Sequence, residues 1–233
     1  MGEHSLARRT FWLLRTLPAG ARWWLVRRLV EPRASRIQRL KEALGDPGAR
    51  LVFVCHGNIM RSAFSAHVAR AAVPDRAQQI VSTGTHAKPG REAEATALSV
   101  AALLGYDLSS HRASSFAGVQ LSTRDLVVCM DRGNEAQVLH YLGQGQRVFL
   151  VGDIDEVDTG HVHPGSPQNA GAVGAAGETG PGLEPATPEV DRSRELPDPY
   201  GKGPDVTRRA FLRLRSQAEL WARRHFGHSQ AQP

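Results

Sequence analysis

Four short apolar runs, Leu51–Val54, Ile80–Val81, Leu126–Met130 and Val148–Val151, constrain this chain more than any other feature. Each is flanked by polar residues and too short for a core helix, the pattern of strands covered on both faces. Segments with helical spacing separate and follow them: Ala63–Ala72, Ala93–Leu104, Asn134–Leu142 and Val206–Phe226, the last with Asp205 placed to cap it after Pro204. Strand and helix alternating four times predict an α/β fold, an open doubly wound parallel sheet of about four strands with helices on both faces.

No uninterrupted apolar run reaches the roughly 18 residues that a membrane-crossing helix needs. Two cysteines, Cys55 and Cys129, cannot make a disulfide framework, and no Cys/His spacing has the form of a zinc site. A soluble protein of a reducing cytoplasm is expected. The net charge of +6 is concentrated at one end: residues 1–43 hold nine arginines and Lys41 against three glutamates, a balance of +7 that leaves −1 for the rest. The basic character belongs to a segment, so no nucleic-acid partner is expected.

The organisation follows. Residues 1–47 form a basic extension in which Trp23, Val26 and Val30 share one helical face and Arg22, Arg27 and Arg28 crowd toward the other. Two uses fit residues 8–30: a helix lying on an anionic membrane surface, at the inner face of the membrane, or one packed on its own domain or a second subunit. The domain proper is expected over 48–228, with a tail at 229–233. It is interrupted at about 156–194 by an insertion whose core, Gly160 to Val190, carries seven glycines and five prolines in 31 residues. Such a composition buries too little surface to offset its ordering entropy and predicts disorder. His161 and His163 within it are too few for a metal site.

Chemistry concentrates where the first strand meets the first helix, in "LVFVCHGNIMRSAFSAH". Open α/β sheets bind ligands at the carboxyl ends of their strands, where Cys55 falls. A short loop, Cys55–His56–Gly57–Asn58–Ile59–Met60–Arg61, wrapped onto a helix start presents backbone N–H groups to an anion, and the helix dipole reinforces them. Arg61 adds a planar fork for two phosphate oxygens. That field favours the thiolate, making Cys55 a nucleophile aimed at a bound oxyanion, with Ser62 a hydrogen-bond donor to sulfur. Gly57 lets the backbone approach closely, and Asn58 tolerates a left-handed bend.

The stretch resembles the phosphate-binding loop of the low-molecular-weight protein tyrosine phosphatases, Cys-x-Gly-Asn-x-x-Arg-Ser. Further similar segments follow in the family's order: "VSTGTHA", "LGYDLSSHRASSF", "DLVVCMDRGN" and the acid-loop segment "LPDPYG". The resemblance covers about Arg50 to Phe226 apart from the insertion and implies the flavodoxin-like phosphatase fold. It implies Cys55 as nucleophile, Arg61 as phosphate clamp and Asp198 as general acid and base, in a reaction through phosphocysteine that uses no metal or cofactor. It also implies loop support from Asn58, Ser62, Ser82 and His111, and ring recognition by Tyr200. The implied partner is a tyrosine-phosphorylated protein, in some family settings a bacterial tyrosine autokinase.

Departures from the pattern matter too. Met60 stands where many members carry a second cysteine able to protect the nucleophile, and Lys88 where an aromatic wall is common. Ile59 occupies a position that is threonine in relatives acting on phosphoarginine, and an aliphatic residue there suits phosphotyrosine. The alternative on the same fold is an arsenate reductase using a small-molecule thiol, against which "PDPY" weighs, because arsenate reduction needs no acid for a phenol leaving group.

Overall fold

The computed structural model describes residues 31–143, 145–157 and 194–227. The arm at 8–30, the tail at 229–233, His161, His163 and nearly all of the expected insertion lie outside the described residues. The elements are α1 (Arg33–Leu44), β1 (Leu51–Cys55), α2 (Arg61–Ala72), β2 (Ile80–Gly84), α3 (Ala95–Leu103), a single turn α4 (Phe116–Val119), β3 (Leu126–Cys129), α5 (Arg132–Leu142), β4 (Val148–Leu150) and α6 (Pro204–Phe226).

The strands form one parallel sheet in the order β2-β1-β3-β4. The chain steps from β1 to one side, then crosses to the other, so the order reverses beside β1. A crevice opens at such a reversal, at the carboxyl ends of the strands. Cys55, the last residue of β1, therefore stands at the place where an open α/β sheet can take a ligand.

Alternation along the strands divides the interior in two. Leu51, Phe53 and Val128 face the larger core with α1, α2, α3 and α6; Val52, Val54, Val127 and Cys129 face the smaller one with α4 and α5. Phe64 of α2 stacks on Phe211 of α6 with ring centroids 4.1 Å apart, and the edge of Tyr106 closes against it at 5.3 Å. Such ring pairs add about 0.5–1.5 kcal/mol beyond their burial. Trp221, fully buried, donates its indole N–H to Val151 O at 2.9 Å.

Three local details differ from the expectations. Asp205 does not cap α6: Gly203, with φ +83°, precedes the helix and Pro204 is its first residue, leaving Asp205 in the first turn where its charge suits the helix dipole. Strand β2 runs on through Ser82, Thr83 and Gly84, because its polar hydroxyls are satisfied inside the fold: Asn58 Nδ2 donates to Ser82 Oγ and Thr83 Oγ1 donates to Ser114 O. Helix α1, expected within the extension, contributes Leu40, Ala43 and Leu44 to the larger core. Its arginines pair with carboxylates far along the chain, Arg36 with Asp153 and Glu156, and Arg33 with Glu156. Among the described residues no helix is long and apolar enough to cross a membrane.

Candidate active site

The loop after β1 is held from below by β2 and the segment that follows it. Thr85 N donates to Cys55 O at 2.9 Å and His86 N to His56 O at 2.8 Å. This close approach is what Gly84 permits: a Cβ there would lie 2.6 Å from His56 O and 2.8 Å from Asn58 N. Gly57 has no such need, since its Cβ would meet only the Ile59 side chain at 3.4 Å, an ordinary contact.

Asn58 is the keystone of the loop. It adopts the left-handed conformation, φ +52°, and is fully buried. Its Nδ2 donates to Ser62 Oγ and Ser82 Oγ, both at 2.9 Å; its Oδ1 accepts from Ser114 N at 2.8 Å; its backbone O accepts from His111 Nε2 at 2.7 Å. That backbone bond fixes the His111 tautomer, and burial keeps the imidazole's pKa below its ordinary value.

The sulfur of Cys55 accepts from Asn58 N at 3.3 Å and lies 3.0 Å from Ser62 Oγ. Because Asn58 Nδ2 already donates to Ser62, that hydroxyl has one proton left, and Thr83 O stands 3.2 Å away as the competing acceptor. A thiol can donate to Ser62 while Ser62 donates to Thr83 O. When the sulfur is ionised, the Ser62 proton can turn to it instead. The N-terminus of α2 begins six residues on, at Arg61.

Arg61 is 2% exposed, which makes its partners decisive, since a buried guanidinium without a counter-charge is costly. Nη1 donates to Asp131 Oδ2 at 2.7 Å and to Leu196 O at 2.9 Å, and Nη2 lies 3.0 Å from Asp198 Oδ2. No partner among the described residues occupies Nε. The guanidinium is thus held by Asp131 and Leu196 O on one nitrogen and by Asp198 on the other, and Arg61 and Asp198 line the same cavity.

Asp198 reaches this position because the segment before it is stitched to the sheet. Leu196 N donates to Met130 O at 2.7 Å, Gly152 N donates to Arg194 O at 3.0 Å, and Glu195 pairs with Arg132 at 2.9 Å. Tyr200 N donates to Asp198 Oδ1 at 3.3 Å.

Cys55, His56, Gly57, Ile59, Met60, Arg61, Asp198 and Tyr200 line one cavity of about 290 Å³, with His86, Lys88 and Arg91 at its other wall. Asn58, Ser62, Ser82 and His111 stand behind it. The structure brings all the sequence-nominated residues to one place. Sequence reasoning assigned no role to Asp131, Leu196 O or Gly84; the signal was that each lies in one of the family-like segments, "DLVVCMDRGN", "LPDPYG" and "VSTGTHA".

The model of the family described as "Low molecular weight phosphotyrosine protein phosphatase" matches residues 50–173. The chain belongs to that family. It is a cysteine-dependent hydrolase of protein phosphotyrosine. The "Probable low molecular weight protein-tyrosine-phosphatase EpsP" of Ralstonia nicotianae is 34% identical over 110 residues, 46% of this chain and 74% of that protein. The "Low molecular weight protein-tyrosine-phosphatase Etp" of Escherichia coli is 26% identical over 174 residues, 75% of this chain and 93% of that one. Among solved structures, the Erwinia amylovora tyrosine phosphatase AmsI superposes with a TM-score of 0.52 at 23% identity, covering 74% of this chain and 90% of that one, a likeness of fold.

Proposed function

We propose that the phosphatase works through a phosphocysteine intermediate, with Cys55 as nucleophile, Arg61 as phosphate clamp and Asp198 as general acid and base. The observation that carries this is the Nε–Nη2 edge of Arg61, a residue lining the Cys55 cavity, whose partner there is Asp198 while Asp131 and Leu196 O hold Nη1. An entering phosphate takes the place of Asp198 on that edge, with loop N–H groups around its other oxygens. The thiolate attacks phosphorus in line, the P–O bond to tyrosine breaks, and protonated Asp198 gives its proton to the phenolate. Asp198, now a carboxylate, takes a proton from the water that attacks phosphorus. The P–S bond breaks, phosphate leaves and the thiolate returns.

Tyr200, half exposed on the cavity wall, supplies a face for the substrate ring, and Ile59 an aliphatic floor. His56, His86, Lys88 and Arg91 are all exposed around the mouth, and among the described residues Asp198 is the only carboxylate lining the cavity. Acidic residues flanking the phosphotyrosine fit that rim, and a bacterial tyrosine autokinase is the proposed protein substrate. The folded domain is proposed to begin at Arg33, because α1 supplies core residues, and residues 8–30 to bring the enzyme to anionic membranes from the cytoplasm. Equal sedimentation of full-length and arm-deleted chain with anionic vesicles would remove the membrane role.

Steady-state kinetics on aryl phosphates test the assignment. Cys55→Ser should abolish turnover of every ester, whereas Asp198→Ala should slow esters of poorly acidic phenols far more than those of strongly acidic ones. Equal slowing across the series would overturn the acid role of Asp198.

A further inference from the structure

A second cavity, of about 260 Å³, lies behind the catalytic loop, between α2, the start of β2 and the segment around His111. Its walls include His67, Arg70, Ser82, His111, Arg112 and Ser114, and among the described residues no aspartate or glutamate lines it. We propose that this cavity binds a tetrahedral oxyanion of the phosphate class, either inorganic phosphate or a phosphomonoester, independently of the catalytic cavity.

The donors are already arranged. Arg70 reaches across to Ile80 O with Nε and Nη2, at 3.0 and 2.8 Å, and is partly buried with Nη1 left without a partner among the described residues. It has no carboxylate partner there either. A partly desolvated guanidinium without a counter-charge is a standing demand for an anion. Ser82 accepts from Asn58, so its own proton is free to give.

The two imidazoles complete the set. His67 commits Nδ1 to Ala63 O at 2.9 Å and His111 commits Nε2 to Asn58 O at 2.7 Å. Each therefore keeps its second nitrogen, an acceptor when neutral and a donor when protonated. Burial first, and then the positive charge of Arg70 among other neighbours, hold both below the ordinary 6.5. The other charges nearby are Asp107, which favours protonation of His67, and Arg112, itself paired with the exposed Glu92 at 3.2 Å. An oxyanion offsets Arg70 and accepts from the imidazolium N–H groups, so binding takes up protons and weakens as pH rises through the histidine range. The site also touches the catalytic loop, since His111, Ser82 and Ser114 all hold Asn58, whose N–H meets the Cys55 sulfur.

Histidines report on each cavity separately: His56 and His86 line the catalytic one, His67 and His111 the second. The test is titration of the full chain with inorganic phosphate, following the four imidazole ring-proton resonances by NMR at constant ionic strength. Saturable shifts of His67 and His111 are expected, with a midpoint different from that of His56 and His86. At fixed phosphate dianion concentration they should weaken as pH rises through the histidine range, be lost in Arg70→Gln and be partly kept in Arg70→Lys. A parallel titration with glycerol phosphate tells ester from free phosphate, and tighter binding of either supports the site. Shifts no larger than with chloride, or shifts that follow His56 and His86 at one midpoint and survive in Arg70→Gln, would overturn it. Silence at His56 and His86 alone would count against the catalytic assignment and leave this one standing.

Discussion

Arg61 Nη1 and Asp131 Oδ2 lie 2.7 Å apart, and the same aspartate receives Asn134 N on its other oxygen at 2.8 Å. One carboxylate thus aims Arg61, the proposed phosphate clamp, and caps helix α5. The two duties separate by substitution. Asp131→Asn keeps an oxygen for the cap and removes the charge, so kcat/KM should fall on the order of 10–100-fold through a misaimed Arg61, with little change in Tm. Asp131→Ala should lose activity similarly and about 1 kcal/mol of stability besides. Kinetics and thermal melts of both variants check this; unchanged kcat/KM in Asp131→Asn would separate Asp131 from the clamp.

Gly84→Ala places a methyl against His56 O and Asn58 N, which are backbone atoms that cannot swing aside. Overpacking of this kind costs about 1–3 kcal/mol, and here the displaced atoms belong to the proposed phosphate cradle. Denaturant unfolding should show that loss and phosphotyrosine turnover should collapse with it. Gly57→Ala, which meets only a flexible Ile59 side chain, should leave stability nearly unchanged.

Acid should weaken the fold in the histidine range. His67, His111 and His225 all titrate below their ordinary 6.5, burial being the largest cause for each. The unfolded chain therefore binds more protons than the native one once pH falls below about 6.5. The stability these neutral imidazoles provide is complete above that value and lost as pH falls toward their native pKa values. Asp46, held below its ordinary 3.8 chiefly by the hydrogen bond from Arg147, adds its loss only at still lower pH. The guanidinium midpoint should drop between about pH 7.5 and about pH 5.5, less steeply in His225→Gln, which keeps a donor for Ala49 O. An unchanged midpoint would contradict this.

Oxidation should be poorly reversible. Cys129 pairs in register with Val54, beside Cys55 in sequence, yet its side chain packs in the smaller core while Cys55 belongs to the larger one across the sheet. Met60 fills the loop position where a resolving thiol would stand. Peroxide should carry Cys55 past the sulfenic acid to the sulfinic acid, with incomplete recovery under dithiothreitol and the same recovery in Cys129→Ser. Full recovery, or a Cys55–Cys129 disulfide in peptide mass spectra, would refute it.

The sheet was legible because its strands are buried on both faces and read as apolar runs; β2 read short because Ser82 and Thr83 find their partners only in the folded state. Cys55, Arg61 and Asp198 were legible through the strand-to-helix context and the family resemblance. Asp131 was not, since its role depends on a contact 70 residues away. Helix α1 read as part of a basic arm because sequence cannot show that Arg36 meets Asp153 and Glu156 more than 100 residues on, while Leu40 enters the core.

The central claim is a covalent phosphate on Cys55. Rapid acid quench of the enzyme during turnover of a phosphotyrosine peptide, followed by peptide mass spectrometry, tests it most directly. The phosphate should be found on the peptide containing Cys55, accumulating further in Asp198→Ala, whose dephosphorylation step lacks its base, and absent in Cys55→Ala. Turnover with no phosphoenzyme in Asp198→Ala, or with phosphate on any other residue, would contradict the account.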